Sequence, residues 1–471
     1  MIFAGSLPAT ILQKTQYVGM GIRILPVRRP AEQTTTTTRP GETMPQFMPF
    51  RGLRYTPAAG PLDDLLAPPY DVITPAMQRA LAERNPCNAV HLELADGGEE
   101  RYARVASLLR DWTERQLLAR DPAPMLYVYE QEFIEGGHIY TRRGVIAAVE
   151  AQPWEAGGVK PHEFTMSGPK EDRLKLLQAT GVQFSPVFCI ARDRAGQLRQ
   201  FIERVIAELP PTAVATSFEG DHHRFWAVEA GSYEMRQLAP LLAESFYIAD
   251  GHHRYETAVN YRNWRLAQGE LPPTHPARFT MAAIVAADDP GLVIRPIHRL
   301  VPRPAPADWR RRLGDAFEIE HVKLPEGEPE RTEALMALLE TCDTVALELE
   351  PRQVYALRRR PGARLAGSIP AGRSEAWLGI GPNVLRYGVL EPLWNISDED
   401  LAAGAIAYTH DLEEVFAFLD DRPGSSAAFL LNPVSIEDVM RLADQGERMP
   451  QKSTFFHPKL GTGLVFYPLE P

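Results

Sequence analysis

Cysteine is scarce in this chain. Cys87, Cys189 and Cys342 are the only three in 471 residues, far apart and without a CxxC pair. That argues against both a disulfide framework and a cysteine zinc site. Apolar runs are short as well. The best, MAAIVAA at 281–287, falls well below the ~18 residues of a spanning helix and is expected to be a buried strand. Positive charge is in deficit: with a formal net charge of −11, the chain lacks the basic stripe that a duplex-binding surface needs. No nucleic-acid or membrane partner is expected. Familiar signatures are missing too. There is no GxxxxGK[ST] loop and no GxSxG elbow, and GIGPNV at 379–384 lacks the third glycine of a dinucleotide fingerprint. The opening MIFAGSLPATIL has no basic start and carries Pro8 in its middle, so it is a poor signal peptide. A cytoplasmic protein is expected.

Proline and glycine are plentiful, at 42 and 34 residues, and 44% hydrophobic with 24% charged content is that of an ordinary globular protein. A chain of this length is expected to form more than one domain. Residues 1–47 include RRPAEQTTTTTRPGETMPQF, a polar low-complexity tract expected to be a disordered or misassigned extension, with Met44 an alternative initiator. Residues 48–304 are expected to form a main mixed α/β domain. The proline-dense RPIHRLVPRPAPADW then leads into a C-terminal α/β region, 305–471.

Within the main domain, MPFRGLRY (48–55) reads as a first strand and PAMQRALAER as a helix with Pro75 at its first position. NAVHLEL alternates like a strand, and 124–151 reads as a hairpin around Glu135-Gly136-Gly137. Helices are expected at 100–118, 169–180 and 196–209, and SPVFCIA as a strand. Farther on, helices are expected at 330–340 and 399–420, and strands near 344–349 and 363–369.

Two nearly identical histidine motifs stand out, EGDHHRFW at 219–226 and SFYIADGHHRYETAVNYRNW at 245–264. The first lies between two strand-like runs and is expected at a hairpin tip, its histidines on the surface. In the second, an apolar strand runs into Asp250 and Gly251, and a helix begins at once. The first amides of a helix lack intrahelical acceptors and carry the positive end of the dipole. Gly251 permits close approach of a ligand to the backbone. His252, His253 and Arg254 add donors in the first turn, where positive side chains oppose the dipole unless an anion compensates. An anion site is expected here, with Asp250 as metal ligand or as base toward a hydroxyl.

A third cluster, VKPHEFTMSGPKEDRLKLL (159–177), brings Lys160, His162, Glu163, Thr165, Lys170, Asp172 and Arg173 into a glycine- and proline-bearing loop ahead of a helix. It is not HExxH, since Met166 stands where the second histidine belongs. Tyr70 and Asp71 sit on the stiff PPYDVI loop. His298-Arg299 follows a strand and reads as a surface pair, the alternative being that it faces the same cavity. MPQKSTFFHPKLGTG near the C-terminus offers Lys452, Ser453, Thr454 and Lys459 to an anion.

In order along the chain, APPYDVIT, NPCNAVHLEL, YVYEQEF, KPHEFT, PKEDRLKLLQAT, YIADGHHRYETAVNYR and MPQKSTFFHPKLGTGLV resemble the bacterial and archaeal family called domain of unknown function 1015, over essentially everything after residue 47. Locally, ADGHHR is similar to the nucleotide-binding signature of the ParB/sulfiredoxin-like superfamily, above all the free-serine kinases. The resemblance implies a ParB/sulfiredoxin-like core elaborated in a larger body. It also implies that Gly251, His252, His253 and Arg254 grip nucleotide phosphates, and His162, Lys170 and Arg173 of the ionisable cluster are expected to support them. Asp250, His252 and Glu163 would be catalytic, Asp250 also holding Mg2+, and Tyr70, Asp71 and Lys452 would support substrate. The implied activity is that of an ATP- or ADP-dependent kinase acting on the hydroxyl of a small molecule, such as free serine. Two other readings stand beside it. One is a nucleotide-binding switch without turnover. The other is a metal-dependent phosphohydrolase using Asp250, His252, His162 and Glu163 as ligands.

Overall fold

The computed structural model describes residues 42–471 except Met166, Glu326, Asp343, Pro351 and Arg352. Most of the expected extension, residues 1–41, lies outside the described residues.

The first body is built on a nine-stranded mixed sheet. Its path runs β6 (Val159–Lys160), β11 (Phe246–Asp250), β8 (Val187–Ala191), β12 (Phe279–Ala286), β5 (His138–Glu150), β4 (Met125–Glu135), β10 (His222–Glu229) and β9 (Ala213–Thr216), with β1 (Phe47–Met48) pairing β5 off the path. Strands β11/β6 and β12/β8 pair in parallel, and the other neighbours are antiparallel. Every residue of β8 and β12 is buried. That explains their unbroken apolar sequences, since both faces of these central strands are covered. On one face α5 (Gln197–Glu208) packs Leu198, Phe201 and Val205 against Val187, Cys189 and Ile284. On the other, Phe188, Tyr127 and Tyr129 meet Phe456, Leu460 and Val465 from the chain's end.

Around this sheet lie α1 (Pro75–Arg84), α2 (Val90–Glu93), α3 (Glu100–Glu114), α4 (Ser167–Thr180), α6 (Ser232–Leu238), α7 (His252–Leu266) and the two-stranded ribbon of β2 (Leu53–Tyr55) and β3 (Leu118–Arg120). The expected first strand is therefore two short ones. NAVHLEL is a helical turn rather than a strand. Asn88 decides this: its Nδ2 donates to the carbonyls of Asp64 and Leu66, and its Oδ1 accepts from the Val90 amide at 2.9 Å. A side chain that caps backbone groups on both sides overrides a short alternating pattern.

After β13 (Val293–Arg295), the chain enters a six-stranded antiparallel sheet. It is ordered β15 (Phe317–Val322), β17 (Val354–Arg359), β16 (Thr344–Leu347), β19 (Ala427–Leu431), β14 (His298–Val301) and β18 (Ala407–Thr409). The strand expected near 363–369 lies earlier, as β17, which ends at Arg359. The helix expected over 399–420 is split into Asp398–Ala402 and Leu412–Asp420. Gly404 adopts φ +83°, β18 intervenes, and Asp411 caps the second helix. His298 and Arg299 are buried on β14, not a surface pair: the Leu431 amide donates to His298 Nδ1, and Arg299 lies over the Tyr408 ring and donates to the Lys452 carbonyl.

The last segment returns to the first body. Strand β20 (Phe455–His457) pairs β13, and β21 (Tyr467–Pro468) pairs β7 (Val182–Gln183). Residues 449–461, which we call the strap, cross the C-terminal end of β11.

Candidate functional site

The junction of β11 and α7 is the centre of the site. Pairing with β8 slips between Ile248 and Asp250, the kind of irregularity that re-aims a side chain at a strand end. Gly251 follows with φ +88°, a conformation that side chains disfavour. A β-carbon there would also come within 3.0 Å of the Arg254 guanidinium, which folds back over the turn. Gly251→Ala is therefore expected to cost at least about 1–2 kcal/mol from the left-handed backbone alone. Thermal unfolding checks this; an unchanged midpoint would mean that the turn adapts freely.

Asp250 is flanked by two cations. Lys459 of the strap meets its Oδ1, and Arg254 Nη2 meets its Oδ2 at 2.5 Å. The other terminal nitrogen of Arg254 donates to the Pro186 carbonyl. Burial alone would push the Asp250 carboxyl up, but Lys459 and Arg254 hold it far below the ordinary carboxylate range. It stays ionised, and a carboxylate so stabilised is a weak proton acceptor. With both oxygens carrying protein cations, it also does not fit a directly ligated magnesium ion.

His162 and His252 meet edge to face, ring centroids 4.7 Å apart. Thus the 159–173 segment does fold against the 250–254 turn, with Lys170, Asp172 and Arg173 in the first turns of α4 rather than in a loop ahead of it. His252 Nε2 accepts from the His162 backbone amide at 3.3 Å. His162 Nδ1 donates to the Ile248 carbonyl at 2.6 Å, which leaves Nε2 facing the Thr454 hydroxyl at 2.8 Å. Burial lowers the pKa of both rings, and in His252 the neighbouring His162 adds to the effect. Both rings are neutral and serve protein partners. Among the described residues no group of three or more histidine, cysteine or acidic side chains is arranged to hold a metal. The residues of the phosphohydrolase ligand set are neighbours, but their nitrogens and oxygens are turned to protein partners.

Other expected site residues surround this centre. Glu163 Oε1 accepts from the amides of Ser453 and Thr454 and from the Thr454 hydroxyl, so it clamps the strap. Lys170 is paired with Glu256 at 2.6 Å. Arg173 donates to the Glu93 carbonyl at 2.6 Å and lies over the Tyr70 ring at 4.4 Å. Burial pushes the Tyr70 hydroxyl up to about 12. Asp71 is exposed beside it, and His253 is partly exposed at the start of α7. The His253 ring is lowered by burial, against the pull of Glu256. Lys452 is exposed and enters the architecture through its backbone, its carbonyl accepting from Arg299 at 2.9 Å.

Sequence reasoning missed two participants and left a third without its partner. Glu93, buried beneath Arg173 and Arg254, accepts from Ser185 at 3.0 Å. Burial raises its pKa, against both arginines. Glu256 gathers Lys170, Thr165 and Trp154; its position one turn past His252 was a usable signal. Lys459 was seen only as one of several anion-friendly residues. Nothing local pairs it with Asp250.

The hairpin motif behaves differently from expectation. Asp221 does lie at the β9–β10 turn, yet His223 is 2% exposed and its Nδ1 meets the Tyr129 hydroxyl at 2.7 Å. Because β10 lies between β4 and β9, the alternation that exposes His222 and Arg224 turns His223 and Phe225 inward. A separate groove of about 720 Å³ between α1, α2 and α3 contains none of the expected site residues.

Residues 47–365 match the model of a family described as a protein of unknown function (DUF1015). The chain belongs to this family. No curated protein matches the sequence. Among solved structures, a free serine kinase variant in complex with ADP is similar at 14% identity, with 68% of this chain and 92% of that chain covered and a TM-score of 0.34. A conserved hypothetical protein from Pyrococcus furiosus is similar at 14% identity, with 68% and 95% covered and a TM-score of 0.33. A C-terminally truncated SbnI from Staphylococcus aureus is similar at 10% identity, with 69% and 87% covered and a TM-score of 0.33. In the described residues no helix is long and apolar enough to cross a membrane.

Proposed function

We propose that this member of the family is a cytoplasmic ATP- or ADP-dependent kinase acting on the hydroxyl of a small molecule, with a free amino acid such as serine as the first acceptor to try. The observation that carries the reading is the β11–α7 junction, a left-handed glycine and a helix start organised around one ionised carboxylate held between two cations. Phosphoryl transfer asks a protein for positioning and charge neutralisation more than for covalent chemistry. The helix start and Arg254 would hold phosphate, and Asp250 would keep Arg254 and Lys459 in place. Asp71, His253 and Lys170 on the outer rim would contact the rest of the nucleotide and the acceptor. Neutral His252 and His162 are suited to shaping the pocket and donating or accepting hydrogen bonds without adding charge.

A binding switch without turnover has one observation in its favour: the site's charges already have partners within the protein, Lys170 with Glu256 and Arg254 with Asp250. One experiment separates the readings. ATP or ADP is expected to raise the unfolding temperature, by mass action on the folded state. Phosphorus NMR with a mixed amino-acid pool is then expected to show a new phosphomonoester. Stabilisation with no product under any acceptor would favour the switch. No stabilisation by any nucleotide would end both.

A further inference from the structure

The two histidine motifs are joined through the interior. At the hairpin motif, Asp221 Oδ2 accepts from the Gln131 amide at 2.9 Å. Gln131 Oε1 in turn accepts from Arg142, a guanidinium only 1% exposed on β5. Arg142 donates to the carbonyls of Pro458, at 2.6 Å, and His457, at 3.3 Å, and Gln131 reaches the Lys459 carbonyl at 3.3 Å. Three consecutive strap carbonyls are thereby held from below, and the side chain of the third residue ends on Asp250. An arginine this deep in a sheet carries a large desolvation cost. Here burial lowers its pKa, with Tyr129 and the acidic groups around it, Asp221 and Asp250 included, acting in the opposite direction.

We propose that Lys459 is a phosphate-binding residue of the nucleotide site, and that Asp221, Gln131 and Arg142 are the positioning relay that delivers it. This inference rests on the nucleotide reading given above. The local positive charge at Asp250 comes from Lys459 and Arg254, and an ammonium carries three donors on a flexible stem. In the unliganded protein Asp250 neutralises it. When the phosphates of a nucleoside diphosphate arrive, the ammonium is shared between them and the carboxylate. No bond is made or broken in this step. The hairpin motif, which lacks the strand–glycine–helix geometry of its counterpart, thus serves the same site through the strap backbone.

Isothermal titration with ADP and with adenosine tests the proposal, using the full chain as wild type, Lys459→Met, Lys459→Arg, Asp221→Ala and the double variant Asp221→Ala/Lys459→Met. Loss of a charged hydrogen bond to phosphate is expected to weaken ADP binding ~10- to 100-fold in Lys459→Met, while adenosine binding stays unchanged. Lys459→Arg recovers part of the loss. Asp221→Ala weakens ADP binding by a smaller factor, and adds nothing in the Lys459→Met background, because coupled residues are not additive. In wild type, saturating ADP is also expected to slow amine-directed labelling of Lys459, read by mass spectrometry, so the idea does not depend on any variant folding. Wild-type ADP affinity in Lys459→Met, an equal loss for adenosine, or labelling unaffected by ADP would overturn it. If wild type binds no nucleotide at all, the nucleotide reading itself fails and takes this inference with it.

Discussion

Asp250→Asn is expected to destabilise the folded protein by about 3–5 kcal/mol, the cost of leaving buried charges without their counter-ion. Asparagine keeps the size of the side chain but leaves Lys459 and Arg254 facing one another across a neutral group. Those side chains are only 12% and 10% exposed, so solvent screens little of their repulsion. Urea unfolding gives the number directly, and removing Arg254 as well, in Asp250→Asn/Arg254→Met, should recover part of the loss. A loss below about 1 kcal/mol, the worth of an exposed ion pair, would show that the two cations find other partners. If the proposed phosphoryl transfer is the activity, the same substitution is expected to suppress it, since it releases both cations from their positions.

Acid is expected to have an effect at least as large. Burial lowers the pKa of His223 and His298 to about 4 and of His457 to about 3, with Arg142, Arg299 and Arg295 respectively adding to it. In the unfolded chain these rings titrate near the ordinary ~6.5. Stability is therefore fully present above that value. It falls as the pH drops toward the folded values, because the unfolded chain binds protons that the folded one refuses. Between pH 7 and pH 5 each ring should cost about 2 kcal/mol. His457 sits in the strap and His223 on β10 beneath it, so the strap region should loosen first. Chemical denaturation at a series of pH values, with hydrogen exchange of residues 449–461, checks both points. A flat stability from pH 7 to pH 5 would show that the rings are solvated or charged in the folded protein.

Much of the fold was legible because it rests on local rules. The apolar runs in SPVFCIA and in MAAIVAA at 281–287 announced strands, and both lie in fully buried central strands, since a strand covered on both faces needs no polar alternation. Pro75 after Thr74 announced a helix start, and the Thr74 side chain does accept from the Met77 amide. The turn at Asp250-Gly251 could also be read, because only a glycine takes φ +88° cheaply between a strand and a helix. Elsewhere local rules misled. NAVHLEL alternates, yet Asn88 reaches backbone carbonyls more than twenty residues upstream and closes a helical turn.

By itself, then, the sequence determined the strand–glycine–helix junction, the loop of ionisable groups before α4 and the order of elements that brings them to one body. Tertiary structure alone decided which charges meet. Lys459 lies 209 residues from Asp250, and Arg142 more than 310 from the strap carbonyls it holds. The same is true of His223. Its motif reads as a surface turn, and it is buried because it shares with Phe225 the face of β10 that packs toward the core, stacked on Tyr129. The physical reason is common to these cases. Backbone conformation is set by neighbours in the chain, whereas the burial and pairing of a charge depend on neighbours in space, and those exist only once the sheet has formed and the strap has crossed it.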